Sequence, residues 1–292
     1  MALFSQIRPY DGHLCRASLM KLNDKILLGI LGYGKRDEYY WALRDDIASC
    51  VVEEVSLVYL DNKRNVVGGN LCSIKDIGDC NANLYYEFTG YLMLLEEFIK
   101  IDAIQKYAKV ILLNDTATSH HNWKLWKHSI VGASKIIPPH CVIGDLRFSR
   151  SSIGDYNFIA SWMFVFSVSD LCAFRIALLE CLNSVTKNKN NYFADTIHYY
   201  GLHLDKVRRK KLVEWLFSDN KYHGWIQAKP FEEMPKEVRY RKGVAIELEH
   251  NFSNSLSTRN FNLLDIKRIS IVAYIANKHD RLLNLYLRLV CK

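Results

Sequence analysis

The chain has 292 residues, 49% of them hydrophobic and 24% charged, with only 14 Gly and 5 Pro. This composition excludes a disordered or collagen-like chain, and the length allows one domain with an appendage or two small ones. The net charge of +8 suits an anionic partner such as a nucleotide, a polyanion or an acidic lipid surface, without choosing among them.

The N-terminal stretch lacks a basic segment followed by a long apolar one, so no secretory signal is expected and the cytoplasm is the expected location. Ile26–Leu31 is a compact apolar run that ends at Gly32-Tyr33-Gly34, and Glu38–Cys50 follows with apolar residues at helical spacing. This reads as strand, glycine turn and helix. Val55–Leu60, rich in β-branched and aromatic residues, reads as a second buried strand closing at Asp61-Asn62.

Residues 61–83 read as a loop rich in Gly, Asn and Asp, and Tyr91–Ile104 as a helix. Lys109–Leu113 is a further buried strand, stopping at Asn114-Asp115-Thr116 before a loop with His120 and His121. Those two histidines suggest a metal, but adjacent side chains diverge, so loop histidines are the simpler reading. Trp123–Ser134 reads as a helix, Cys141–Gly144 as a short strand, Ile159–Val168 as a strand, and Leu171–Leu182 as a helix with Asp170 at its N-cap. Alternating strands and helices predict an α/β fold with a mostly parallel sheet flanked by helices.

Beyond a polar linker at Thr186–Asn191, Asp205–Phe217 reads as a basic helix and Leu263–Leu289 as one or two amphipathic helices. The expected division is an α/β domain over 1–187 and a basic, helix-rich region over 188–292 packed on it. Lys206–Lys211 holds five positive charges in six residues, an arrangement that suits phosphates or acidic headgroups as well as a solvated helix face. The eight cysteines are scattered with no CxxC pair and read as reduced thiols.

Ligands of an open parallel sheet collect at the carboxyl ends of its strands, where helix N-termini supply donors for anions. Three strand ends are polar here: Gly32-Tyr33-Gly34, Asp61-Asn62 and Asn114-Asp115-Thr116. The glycines allow either close approach of a nucleotide or a tight turn; Asp61 suits a ribose hydroxyl or a turn. Asp115, beside Asn114 and Thr116, suits a metal or sugar ligand. A P-loop, a Ser/His/Asp motif and HExxH are all missing from the sequence.

Tyr86-Glu87-Phe88-Thr89-Gly90, then Val110–Thr116 (VILLNDT), then Ile159–Ser167 (IASWMFVFS) resemble, in order and spacing, bacterial polysaccharide glycosyltransferases of the rhamnan-synthesis type. The resemblance covers roughly residues 25–185. It implies a Rossmann-like, GT-A-like nucleotide-binding domain that moves a sugar from a nucleotide-sugar donor to a surface glycan or lipid-linked glycan. It also implies donor contacts from Asn114 and Asp115, nucleoside contacts from Gly32, Tyr33 and Asp61, and a base among Glu87, Asp155 and Asp195. Arg241 or Lys242 would neutralise the donor phosphates, with His250 in the block that closes over them. The group's Asp-x-Asp is replaced by Asn114-Asp115, which leaves Mn²⁺ or Mg²⁺ on Asp115 an open requirement. A lipid-linked acceptor would favour peripheral attachment to the inner face of a membrane. Two rival readings are a non-catalytic interaction protein on the same fold and a nucleic-acid-binding module favoured by the pI near 8.9.

Overall fold

The computed structural model describes residues 25–51, 53–77, 87–119, 123, 127–130, 137–149, 156–187, 206–207, 209–210, 213 and 235–269. Its centre is β1 (Lys25–Gly32), whose apolar run is buried on both faces, as a strand in the middle of a parallel sheet requires. The chain then forms α1 (Asp37–Ala48) and returns as β2 (Val55–Asp61), parallel to β1 with Gly32 opposite Asp61. Strands β3 (Val66–Gly69) and β4 (Lys75–Asp76) continue that side of the sheet antiparallel, so the expected 61–83 loop contains a β-hairpin.

Helix α2 (Glu87–Ile99) carries the chain back across β1 to β5 (Tyr107–Asn114), parallel to β1 on its other side. Next come β6 (Cys141–Gly144), a two-stranded antiparallel hairpin of β7 (Leu146–Ser149) and β8 (Tyr156–Ile159), and β9 (Met163–Ser167). The apolar run 159–168 is therefore broken at Ala160–Trp162, where the chain leaves one sheet and enters the other. Helices α3 (Leu171–Lys187) and α4 (Lys236–Thr258) precede the last described strand, β10 (Asn262–Asp265).

The large sheet has the order β10-β6-β9-β5-β1-β2-β3-β4. Strands β1, β2, β5, β6 and β10 run one way, and β9 lies antiparallel between β5 and β6. The architecture is thus α/β with a mixed, largely parallel sheet. Since β10 pairs with β6, the sheet itself crosses the boundary expected near residue 187, and 235–269 belong to the same core. The strand at Asn262–Asp265 also replaces the start of the helix expected from Leu263.

Alternation along β1 divides the core into two layers. Ile26, Leu28 and Ile30 meet Tyr40, Leu43 and Ile47 of α1, together with the helical residues Trp123 and Ile130. Leu27 and Leu31 meet Phe88, Leu95 and Phe98 of α2, and this layer extends through Phe174 of α3 to Phe252 of α4. Asp170 does not cap α3 as expected: it accepts the His140 N–H at 2.7 Å, and the Ser167 side chain accepts the Ser169 N–H. Among the described residues no helix is long and apolar enough to cross a membrane.

Candidate functional site

The connection through α1 leads from β1 to β2, whereas α2 leads to β5 on the opposite side of β1. The strand order therefore reverses between β1 and β5, and at their carboxyl ends the two connections diverge, the place where an open α/β sheet forms a ligand crevice. Tyr33 lies on one side, with 55% of its surface exposed, and Asn114 and Asp115 on the other. The Tyr33 N–H donates to Asp115 Oδ2 at 3.0 Å, and the Asp115 N–H to the Leu31 carbonyl at 2.8 Å, so both sides are fixed to each other. Asn114 Oδ1 accepts from the Thr116 N–H and hydroxyl, which sets the turn after β5.

Glu87 stands in the first turn of α2, one turn before Gly90. Residues Glu87–Gly90 of the block therefore lie inside the helix, which starts four residues before the expected Tyr91. Ser161 Oγ donates to Glu87 Oε1 at 2.5 Å, and the Ser161 N–H donates to Glu249 Oε1 at 2.7 Å. The Tyr91 hydroxyl donates to the Ser161 carbonyl at 2.7 Å, so all three polar groups of this serine are engaged. Burial raises the Glu249 carboxyl above its ordinary range; the Ser161 N–H opposes the shift and the charge of Glu87 adds to it. Burial likewise raises the Tyr91 hydroxyl, and the charges of Glu87, Asp115 and Glu249 add to it.

Other expected site residues stand elsewhere. Asp61 is fully buried and its oxygens are taken: they accept the N–H groups of Gly34, Lys63 and Arg64 at 2.9–3.0 Å, the Tyr40 hydroxyl at 2.6 Å and Arg64 Nε at 3.0 Å. It organises the turn that presents Tyr33 and is not a spare acceptor for a ribose. Gly34, at φ +76°, is in the left-handed region that favours glycine. Gly32 makes room for Tyr40: a Cβ there would lie 2.0 Å from the Tyr40 hydroxyl oxygen. Gly32→Ala should therefore cost about 1–3 kcal/mol by overpacking, read as a lower urea midpoint at unchanged m.

The block 245–257 is part of α4, packed on α3 and β8, and its Glu249 is the residue that bonds Ser161. His250 is buried with its ring 4.3 Å from that of Phe158, and Arg241 pairs with Glu237 at 2.6 Å along the helix. Asp155, Asp195, His120, His121 and the Lys242 side chain lie outside the described residues. Among the described residues no group of three or more His, Cys, Asp or Glu is placed to hold a metal ion.

What the sequence does not show is how the partners of the crevice pair. Ser161 belongs to the third block of the resemblance, and a serine at a break between two apolar runs is also a signal for a turn. Glu249 belongs to the block 245–257, 88 residues from Ser161, and only the fold brings them together. No protein family, curated protein or solved structure matches this chain.

Proposed function

We propose that the chain is a nucleotide-sugar-dependent glycosyltransferase with a GT-A-like domain, acting on a bacterial surface glycan or a lipid-linked glycan. One observation carries this reading. The three sequence blocks that resemble polysaccharide glycosyltransferases place Glu87, Asn114 with Asp115, and Ser161 at the carboxyl edge of the sheet, and Ser161 bonds Glu87 directly. The edge offers what the reaction needs: an exposed aromatic ring at Tyr33, polar groups for a sugar at Asn114 and Asp115, and carboxylates for an attacking hydroxyl.

In this reading Tyr33 packs against the nucleoside, Asp115 and Asn114 contact the donor, and Glu87 takes the proton of the acceptor hydroxyl as its oxygen bonds to the anomeric carbon, whose bond to the diphosphate oxygen breaks and releases the nucleoside diphosphate. Ser161 and Glu249 hold Glu87 in place. Preorganised groups of this kind lower the barrier because they need not reorient as charge develops. A divalent ion, Mn²⁺ or Mg²⁺, would find one carboxylate at Asp115 and would need the donor's phosphates to complete its shell.

Thermal melting against a panel of nucleotides and nucleotide-sugars, with and without Mn²⁺ or Mg²⁺, tests the reading. A ligand at 100 times its dissociation constant should stabilise the protein by about 2.7 kcal/mol. Asp115→Ala should remove that shift while leaving the unliganded protein folded. If no nucleotide moves the midpoint, the transferase reading falls and a non-catalytic interaction protein takes its place.

A further inference from the structure

Two cations at the far end of the same edge share one buried carboxylate. Asp145, 3% exposed, follows β6 directly; its Oδ2 accepts from Arg147 Nε at 3.3 Å, Arg147 Nη2 at 3.2 Å and Trp162 Nε1 at 3.1 Å. Its Oδ1 lies 2.5 Å from Lys267 Nζ. Burial pushes this carboxyl up, but Lys267, Trp162 and Arg147 outweigh burial and hold it below the ordinary range, so it stays ionised. One carboxylate thus holds both cations, and the side chains of Arg147 and Lys267 remain 50% and 48% exposed.

The pair sits where ligands collect. Arg147 follows the carboxyl end of β6 and Lys267 that of β10, both parallel to β1. With β9 and β5 between, β6 is three spacings of about 4.8 Å from β1, or roughly 14 Å along the edge from Tyr33. Glu249, beside Ser161, feels the charge of Arg147, which joins this end to the crevice. Two acids temper the field: Glu249 itself, and Asp265, which accepts the Lys267 N–H at 3.1 Å. The Arg147 fork directs two of its nitrogens to a single oxygen of Asp145, a geometry that leaves Nη1 to a second anion.

We propose that Arg147 and Lys267, held by Asp145, form a phosphate-binding subsite at the β6–β10 end of the edge. The transferase reading enters only in naming the source, which is either the diphosphate of the nucleotide donor or that of a lipid-linked acceptor.

Titration calorimetry of the full chain with inorganic pyrophosphate, a nucleoside diphosphate and a short isoprenyl diphosphate tests the subsite. Arg147→Gln and Lys267→Gln each leave Asp145 one cation and should fold; the double variant carries Asp145→Asn as well, so that no unpaired buried carboxylate remains, with melting as the check. The double variant should bind pyrophosphate about 10- to 100-fold more weakly. Arg259→Gln, which removes a charge on the far end of α4, should leave that affinity unchanged. Loss of nucleoside diphosphate affinity in the double variant assigns the subsite to the donor; loss confined to the isoprenyl diphosphate assigns it to the acceptor. The proposal is overturned if the wild type does not bind pyrophosphate, if the double variant binds it as well, or if Arg259→Gln weakens it equally. Should pyrophosphate binding depend on the pair while no nucleotide binds at all, the transferase reading falls and the subsite stands.

Discussion

Replacing Asp61 with alanine is expected to lower the unfolding free energy by about 3–5 kcal/mol, the range for breaking a buried ion pair by removing one partner. The side chain is fully buried and accepts from three backbone N–H groups, one hydroxyl and one guanidinium. Without it, the Tyr40 hydroxyl and the N–H groups of Gly34, Lys63 and Arg64 lose their acceptor, and Arg64 keeps its pair with Asp37 and its place over the Tyr40 ring. Asp61→Asn, which keeps the shape but cannot accept from every donor, should cost less. A urea titration reads both variants.

The pH dependence has a definite sign. Burial pushes the Asp61 carboxyl up, but the Tyr40 hydroxyl, the Arg64 and Gly34 N–H groups and the Arg64 guanidinium together bring it below its ordinary value. Its contribution to stability is therefore complete above the unfolded carboxylate range near pH 4 and is lost as the pH falls through the lower, folded value. Asp61→Ala should flatten the acid limb of the stability profile. Because the same carboxylate shapes Gly34 and hence Tyr33, the variant should also weaken the nucleotide binding proposed above, in proportion larger than Asp61→Asn.

The strands at the centre of the sheet were legible because each is a continuous apolar run long enough to be buried on both faces: β1, β2 and β5 lie within a residue or two of their expected bounds. Edge strands were not. Lys75-Asp76 has no apolar signature, and its pairing is set by the open edge of β3. Asn262–Asp265 sits in a stretch whose spacing also suits a helix, and the edge of β6 decides the matter by offering a parallel partner. Local pattern reports burial, whereas an edge strand is chosen by a neighbour distant in sequence.

The site divides the same way. Polar strand ends at Tyr33, Asp61 and Asn114-Asp115 could be read because a sheet's carboxyl edge is where an apolar run stops. Which of them are already spent could not. Asp61 is saturated by residues 21 to 27 positions before it and by the two that follow Asn62, whereas Asp115 has one oxygen on Tyr33. Glu249 and Arg147 joined the edge through hydrogen bonds and charge contacts that no spacing in the chain announces.

Glu247→Gln is expected to stabilise the protein, by an amount that grows with pH. Glu247 is fully buried in α4, and burial pushes its carboxyl up to about 9. In the folded chain it is therefore neutral at pH 7, while in the unfolded chain it ionises above the ordinary glutamate range near pH 4.3. The sign follows: its contribution is fully present below that range and is lost as the pH rises toward the folded value. Within the window each pH unit shifts the folding equilibrium about tenfold, so from pH 5 to pH 8 the loss is on the order of 4 kcal/mol. Glutamine cannot ionise and still accepts from Asn251 Nδ2, which lies 3.3 Å from Glu247 Oε1. Other raised carboxyls, among them Asp170 and Asp265, slope the same way in both proteins and cancel in the difference. Parallel urea curves at pH 5 should then nearly coincide and at pH 8 should separate, with the variant the more stable. Equal midpoints at both pH values would mean that Glu247 is ionised in the folded chain.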